Sequence, residues 1–186
     1  MREFSVNWMD KSNIDRFLSH LKGKPNVHFL EIGSLEGMTT CYLLDFFLTH
    51  PTATITAVDP CVLYPIPGYD NIINSKLEQI FLANTREFGQ KVIFYKDYSA
   101  NVLPKLRHDS FDFIYVDGDH RRDVVYQDAI MSFRVLKPGG IIIFDDYLWM
   151  YDKDKANSPH DGIDRFLGEF KPQVLAINNQ VVIKKG

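Results

Sequence analysis

Residues 27–47 read VHFLEIGSLEGMTTCYLLDFF, and the fold follows from how that stretch divides. It opens on Val27-His28-Phe29-Leu30, an apolar run short enough to be a fully buried strand. The turn Glu31-Ile32-Gly33-Ser34-Leu35-Glu36-Gly37 comes next, and Thr39 to Phe47 reads as a helix. A strand, a glycine turn and a helix make the first half of a nucleotide-binding βαβ unit. Gly33 lets the backbone turn without a Cβ in the way, and Gly37 lets the helix start close to the strand or to a ligand.

The next strand, Ala53 to Val58, is β-branched and ends at Asp59, 22 residues after Gly37. That is about where an acid meets ribose hydroxyls in dinucleotide folds. The first loop, however, carries Glu31 and Glu36 where a G-x-G-x-x-G pattern would need glycine. A pyrophosphate seeks bare N–H groups at a helix N-terminus, and carboxylates beside it would repel. A ligand with a cationic end and no phosphate suits them, and S-adenosylmethionine, with its sulfonium and amino group, is such a ligand.

A chain of 186 residues is expected to form one domain, 1–186, with residues 1–24 as a helical lead-in. A hydrophobic content of 45% and a charged content of 24% are those of an ordinary globular protein. The net charge of -3 offers no general attraction to nucleic acid or an anionic membrane. Cys41 and Cys61 stand in no metal spacing, and MREFSVNWMDKS lacks the apolar core of a signal peptide. A reduced, cytoplasmic setting without a membrane span is the expectation.

Along the chain, Ser12 is a plausible cap for a helix whose Ile14, Phe17, Leu18 and Leu21 share one face, closed by Gly23 before Pro25. The loop Pro60 to Tyr69, rich in proline and aromatics, is either a substrate wall or a surface connection. Ile72 to Phe88 reads as a helix with Leu77, Ile80, Phe81 and Ala83 inward. Val92 to Tyr95 is a strand, and Ala100 to Leu106 a helical turn. Phe111 to Val116 is a strand, and Arg122 to Leu136 a helix stopped by Lys137-Pro138-Gly139-Gly140. Ile141 to Phe144 is a buried strand, Leu148 to Asp161 a candidate lid, and Gly162 to Phe170 the last helix. Gln173–Ile177 and Gln180–Lys184 flank Asn178-Asn179 as a hairpin. Together these predict a Rossmann-like, doubly wound α/β fold. Its sheet has seven strands, mostly parallel, with an antiparallel hairpin at its C-terminal end.

Three of the parallel-type strands end in acids, at Asp59, Asp117 and Asp145-Asp146. The carboxyl ends of parallel strands face one side, so these carboxylates converge, and such a gathering is costly unless a cation neutralises it. Asp117, Asp145 and Asp146 therefore form a candidate site for a hard metal such as Mg²⁺, Ca²⁺ or Mn²⁺. Read singly, Asp119 could cap a helix and Asp145-Asp146 could form a turn. His120 can accept a proton near neutral pH, and His160 could reach the same crevice from the lid.

Glu31-x-Gly33-x-x-x-Gly37, Asp59, Asp97, Val116-Asp117-Gly118-Asp119-His120, Leu136-Lys137-Pro138-Gly139-Gly140 and Phe144-Asp145-Asp146-Tyr147 together resemble the class I S-adenosylmethionine-dependent methyltransferases. The resemblance runs from about Val27 to Phe170 and is nearest the methyltransferase-24 branch. It is similar to the metal-dependent sugar and macrolide O-methyltransferases, and more distantly to the catechol and caffeoyl-CoA enzymes. It implies that Glu31, Gly33, Ser34 and Gly37 hold the amino acid part of S-adenosylmethionine. Asp59 would then bind the ribose, and Asp97 with Tyr98 would border the adenine. Asp117, Asp145 and Asp146 would hold Mg²⁺ or another hard divalent cation, Asp117 also bordering the cofactor. Asp119 or His120 would be the base, with His120 favoured because its ordinary pKa suits the task.

The expected activity is thus metal-assisted O-methylation of a small-molecule hydroxyl, with no nucleic-acid or membrane partner and a homodimer left open. Arg121-Arg122, after His120, depart from the family pattern and suggest an anionic or unusual acceptor. Two alternatives stand beside this reading. An NAD-dependent oxidoreductase would explain Gly33, Gly37 and Asp59 but not Glu31, Glu36 or the paired acids. A non-catalytic S-adenosylmethionine-binding protein would leave the acids and His120 without work.

Overall fold

Five residues, His28–Ile32, form β1, the centre from which the sheet grows to both sides. In the computed structural model, residues 2–62, 76–150 and 158–186 are described. The other strands are β2 (Thr54–Val58), β3 (Val92–Tyr95), β4 (Phe111–Val116), β5 (Leu136–Phe144), β6 (Gln173–Ile177) and β7 (Val181–Lys184). Their spatial order is β3-β2-β1-β4-β5-β7-β6. The first five run parallel, and β7 is antiparallel to both β5 and β6. This is the doubly wound sheet with an antiparallel end that the strand pattern predicts.

The central strands are apolar on both sides because helices cover both faces. From β1, Leu30 and Ile32 enter a core completed by Val125 of α5 (Arg122–Val135) and Phe166 of α6 (Pro159–Phe170). Phe29 enters the opposite core, with Ile14 and Leu18 of α1 (Ser12–Leu18) and Leu43 and Leu44 of α2 (Met38–Phe46). Glu31 shares the α2 face, a carboxylate between the apolar Leu30 and Ile32.

Several boundaries differ from the sequence reading. Ser12 lies inside α1 rather than capping it; its N–H and Oγ both bond Asp10 Oδ1, at 3.0 and 2.7 Å. Helix α3 (Leu77–Thr85) turns Asn84 and Thr85 inward and leaves Ala83 exposed. Asn84 is drawn in because its Nδ2 donates to the Glu3 and Glu36 carbonyls, at 2.8 and 2.9 Å. The helical turn expected from Ala100 is α4 (Ser99–Val102). Lys137-Pro138-Gly139-Gly140 does not merely stop α5. It lies within β5 as an irregularity between the pairs Phe111–Leu136 and Phe113–Ile141, where Gly139 takes φ +79°. Helix α6 begins at Pro159, so His160 and Asp161 belong to its first turn. Within the expected Ile72–Phe88 helix, residues 72–75 lie outside the described residues. So do 63–69 of the proline-rich loop and 151–157 of the candidate lid.

Candidate functional site

Hydrogen bonds beyond the strand ends hold the loops in one row. Gly33 N donates to Val58 O at 2.9 Å, Asp117 N to Ile32 O at 2.8 Å, and Asp145 N to Val116 O at 2.9 Å. The loops after β1, β4 and β5 are thereby stacked at one edge, and their side chains share a common space.

Gly33 is what allows this stacking. Its φ is +83°, and a Cβ there would lie 1.9 Å from the Asp117 carbonyl oxygen. No side chain fits in that gap. Behind it, Glu31 is 1% exposed and accepts a hydrogen bond from the Thr40 hydroxyl. Burial pushes its carboxyl up to about 8, with the neighbouring Asp59 adding to the shift against the Thr40 bond. Asp59 is buried at the end of β2 and accepts the N–H groups of Leu35 at 2.8 Å and Cys61 at 2.6 Å. Burial raises its pKa too, despite those bonds. Ser34 Oγ is buried and has no hydrogen-bond partner. Ser34 and Glu31 both line the cleft, so the hydroxyl and the carboxyl are polar groups that a ligand there could meet.

The fourth wall of this cleft comes from a segment the sequence reading treated as a lead-in. Phe4, Trp8 and Met9 face Glu31, Ser34 and Asp117 across about 390 Å³ of open space. The segment is tied down by Ser5, whose N–H and Oγ donate to Glu36 at 2.5 and 2.7 Å. Further along, Gln180 Nε2 donates to the Asp10 carbonyl at 3.0 Å. Among the described residues lining the cleft there are three carboxylates and no Lys, Arg or His.

Asp117 also lines a second cavity, of about 240 Å³, with Asp119, His120, Asp145, Pro159 and Ile163. Here Asp117, His120 and Asp146 bring one ligand atom each to within 4.8 Å of one another. Burial and the charges of Asp145 and Asp146 push the Asp117 carboxyl well above the usual range. Asp145 is engaged differently: its Oδ2 accepts the Tyr115 hydroxyl and its Oδ1 the Asp146 N–H at 2.8 Å. Asp146 has φ +54°, a conformation few non-glycine residues adopt, and it turns Oδ2 to within 2.7 Å of His120 Nε2. His120 Nδ1 lies 2.9 Å from the Gly118 carbonyl, and the ring meets Trp149 edge-on at 4.7 Å. Two carboxylates and an imidazole converging on one point suit a divalent cation.

Asp119 has less freedom. Its carboxylate holds Arg121 through the backbone N–H at 2.8 Å and through the guanidinium, with Nη2 at 2.5 Å. Burial works to raise its pKa, but the Arg121 bonds outweigh it and the net shift is downward. Arg122 in turn pairs with Asp123 at 3.0 Å. Both arginines that suggested an anionic acceptor are therefore engaged with neighbouring acids.

Asp97 and Tyr98, after β3, line neither cavity: Asp97 Oδ1 accepts the Tyr98 N–H at 2.8 Å and Asn101 Nδ2 at 2.7 Å, and Tyr98 is 54% exposed. His160 pairs with Asp161 and Asp164, both at 3.4 Å. Cys41 and Cys61 are free and buried, and burial pushes their thiols up to about 12 and about 11. Among the described residues no helix is long and apolar enough to cross a membrane.

The Methyltransf_24 family model, described as a methyltransferase domain, matches residues 30–147, which include Asp117 and the loops after β1, β4 and β5 but neither Phe4–Met9 nor Pro159 and Ile163. Caffeoyl-CoA O-methyltransferase 2 of Zea mays is 28% identical over 102 residues, 52% of this chain and 37% of that protein. The chain spans between 37% and 60% of the length of the curated relatives it matches. An O-methyltransferase from Bacillus cereus in complex with SAH superposes with TM-score 0.64 at 17% identity. That match covers 95% of this chain and 83% of the other. TomG of Streptomyces achromogenes, an O-methyltransferase of tomaymycin synthesis in complex with SAM, superposes with TM-score 0.60 at 15% identity. It covers 86% of this chain and 73% of that one.

Proposed function

The chain belongs to the Methyltransf_24 family of methyltransferase domains, and from that premise we propose that it transfers a methyl group from S-adenosylmethionine to the hydroxyl of a small molecule, assisted by a divalent cation. The observation that carries this reading is the position of Asp117. It lines both the loop cleft and the acidic cavity, so ligands held in the two would meet at its carboxylate.

The residues present fit both groups. The unpaired Ser34 hydroxyl and the buried Glu31 carboxyl suit the amino acid end of the cofactor, with Gly33 letting the Asp117 loop and Gly37 letting Phe81 pack against the turn that carries them. Asp59 would meet the ribose, and Asp97 with Tyr98 would border the adenine. Asp117 and Asp146 would hold the cation, with His120 beside them and its Nε2 kept for the proton. Asp145, the third acid of that set, steadies Asp146 through its N–H. S-adenosylmethionine, when bound, supplies a methyl already activated on a sulfonium, and the cation supplies positive charge that favours an ionised hydroxyl.

What remains for the protein is placement and one proton. The stacked loops fix the two cavities edge to edge, so an acceptor oxygen can be held in line with the methyl. His120 is the base of this proposal, because Arg121 already occupies the Asp119 carboxylate. A small hydroxyl compound, met in a cytoplasmic setting, is the acceptor of this proposal, entering beside Asp117 and His120.

Calorimetric titration with S-adenosylmethionine and with NAD, each in Mg²⁺ and in EDTA, tests the reading. Binding of S-adenosylmethionine alone, with a heat that changes with Mg²⁺, is the expected result. Binding of NAD alone would overturn it and move the chain to the oxidoreductases. Binding of S-adenosylmethionine with no effect of Mg²⁺ would remove the metal.

A further inference from the structure

The segment Phe4–Met9 lies outside the 30–147 family match, yet it closes the loop cleft. Trp8 is 42% exposed and stands between two anchors, the Ser5–Glu36 bonds on one side and the Gln180–Asp10 bond on the other. The cleft it faces contains no basic side chain among its described lining residues. Glu36 has its carboxylate occupied by Ser5, which leaves Glu31 and Asp117 facing the aromatic wall.

We infer that Trp8 is a specificity-determining residue that recognises the positive charge of the bound ligand, so that the cleft holds a sulfonium more tightly than the neutral thioether left after transfer. The inference rests on the methyltransferase reading above. A sulfonium has no N–H or O–H to donate, so a carboxylate cannot hold it by a hydrogen bond. Beyond weak C–H···O contacts, it is held by unlike charge and by the electron-rich face of an aromatic ring. Trp8, the aromatic ring with the strongest cation attraction, supplies that face in the cleft it shares with Glu31 and Asp117. Such a wall favours loading of the methyl donor and weakens the hold on the demethylated product.

The test compares wild type, Trp8→Ala and Trp8→Phe by calorimetry against S-adenosylmethionine and S-adenosylhomocysteine. For Trp8→Ala the expected result is a loss of about 10- to 30-fold for the sulfonium and less than about threefold for the thioether. Trp8→Phe should return the sulfonium affinity to within about threefold of wild type. Equal losses for both ligands, or no loss, would overturn the inference while leaving the methyltransferase reading intact. Failure of the wild type to bind either ligand would instead defeat that reading and this one with it. Trp8 and Trp149 are the two tryptophans, so in a Trp149→Phe background the fluorescence belongs to Trp8 alone. Its emission should change on adding S-adenosylmethionine, and an unchanged emission would count against the inference even if Trp8→Ala failed to fold.

Discussion

His120 Nε2 stands 2.7 Å from Asp146 Oδ2 while the other ring nitrogen lies 2.9 Å from the Gly118 carbonyl. A carbonyl only accepts, so Nδ1 carries the ring hydrogen, and Nε2 is the atom at which the ring can take up a proton, against the Asp146 carboxylate. The pair thus has a proton position already built, facing the cavity of Asp117.

Removing that position should be costly to turnover and harmless to cofactor affinity. His120→Ala is expected to lower kcat by about 10²- to 10⁴-fold. Asp119→Asn should lower it by less than about tenfold, since Arg121 holds that carboxylate down. Both should leave S-adenosylmethionine affinity near wild type, because neither residue lines the loop cleft. Steady-state kinetics beside calorimetry check this, and the reverse order of effects would make Asp119 the base.

Gly33 admits no replacement. Alanine there would be strained at φ +83° and would put a methyl group 1.9 Å from the Asp117 carbonyl, a backbone atom that cannot swing aside. Gly33→Ala should cost more than about 3 kcal/mol in urea unfolding, if the protein folds at all. A loss below about 1 kcal/mol would mean the stacked loops are looser than described here.

Glu31 should release a proton when a cation binds. With its carboxyl pushed up to about 8 it is mostly neutral at pH 7. A positive ligand favours the carboxylate and draws the pKa down. Binding of S-adenosylmethionine at pH 7 should therefore expel close to one proton, and affinity should rise with pH until about 8. Calorimetry in buffers of different ionisation enthalpy measures the release. It should vanish in Glu31→Gln.

Asp128 gives stability a pH dependence of the opposite sense to most carboxylates. Burial pushes it up to about 7, against its bond to Ser99 and with help from the Asp119 charge. Its ordinary value is about 3.9, so above that the folded state binds more protons than the unfolded one. Its contribution is therefore complete below pH ~4 and is lost as pH rises through about 7. Asp128→Asn, which copies the neutral form, should be more stable than wild type at pH 8 by about 1–4 kcal/mol and nearly equal to it at pH 4. Thermal melts at the two pH values decide it.

The strands were legible because apolar runs and the acids after them are local signals. Val27 to Asp59 alone predicts β1, α2, β2 and the row of strand ends. The start of α6 is misplaced at Gly162 in the sequence reading, although Pro159 suits the first turn of a helix. Burial of Asn84 in place of Ala83 was not legible. It depends on Glu3, 81 positions away, and no local period carries that information. The cleft wall at Phe4–Met9 is hidden for the same reason, because its anchors at Glu36 and Gln180 lie 31 and 170 positions from their partners. Asp146 was legible as an acid at a strand end. Its pairing with His120 needed the left-handed turn at Asp146, which aspartate adopts but does not announce.

The placement of β7 sets an order on how the molecule is made. Val181–Lys184 lies between β5 and β6 in the sheet although both precede it in sequence. Until those four residues leave the ribosome, Ile141–Phe144 has β4 on one side and an open, strongly apolar edge on the other. An unpaired Ile-Ile-Ile-Phe edge is the kind of surface on which nascent chains aggregate. The growing chain must therefore carry that edge through the synthesis of about forty further residues. Chaperone demand during translation is thus a cost of inserting a late strand inside a sheet begun by early ones.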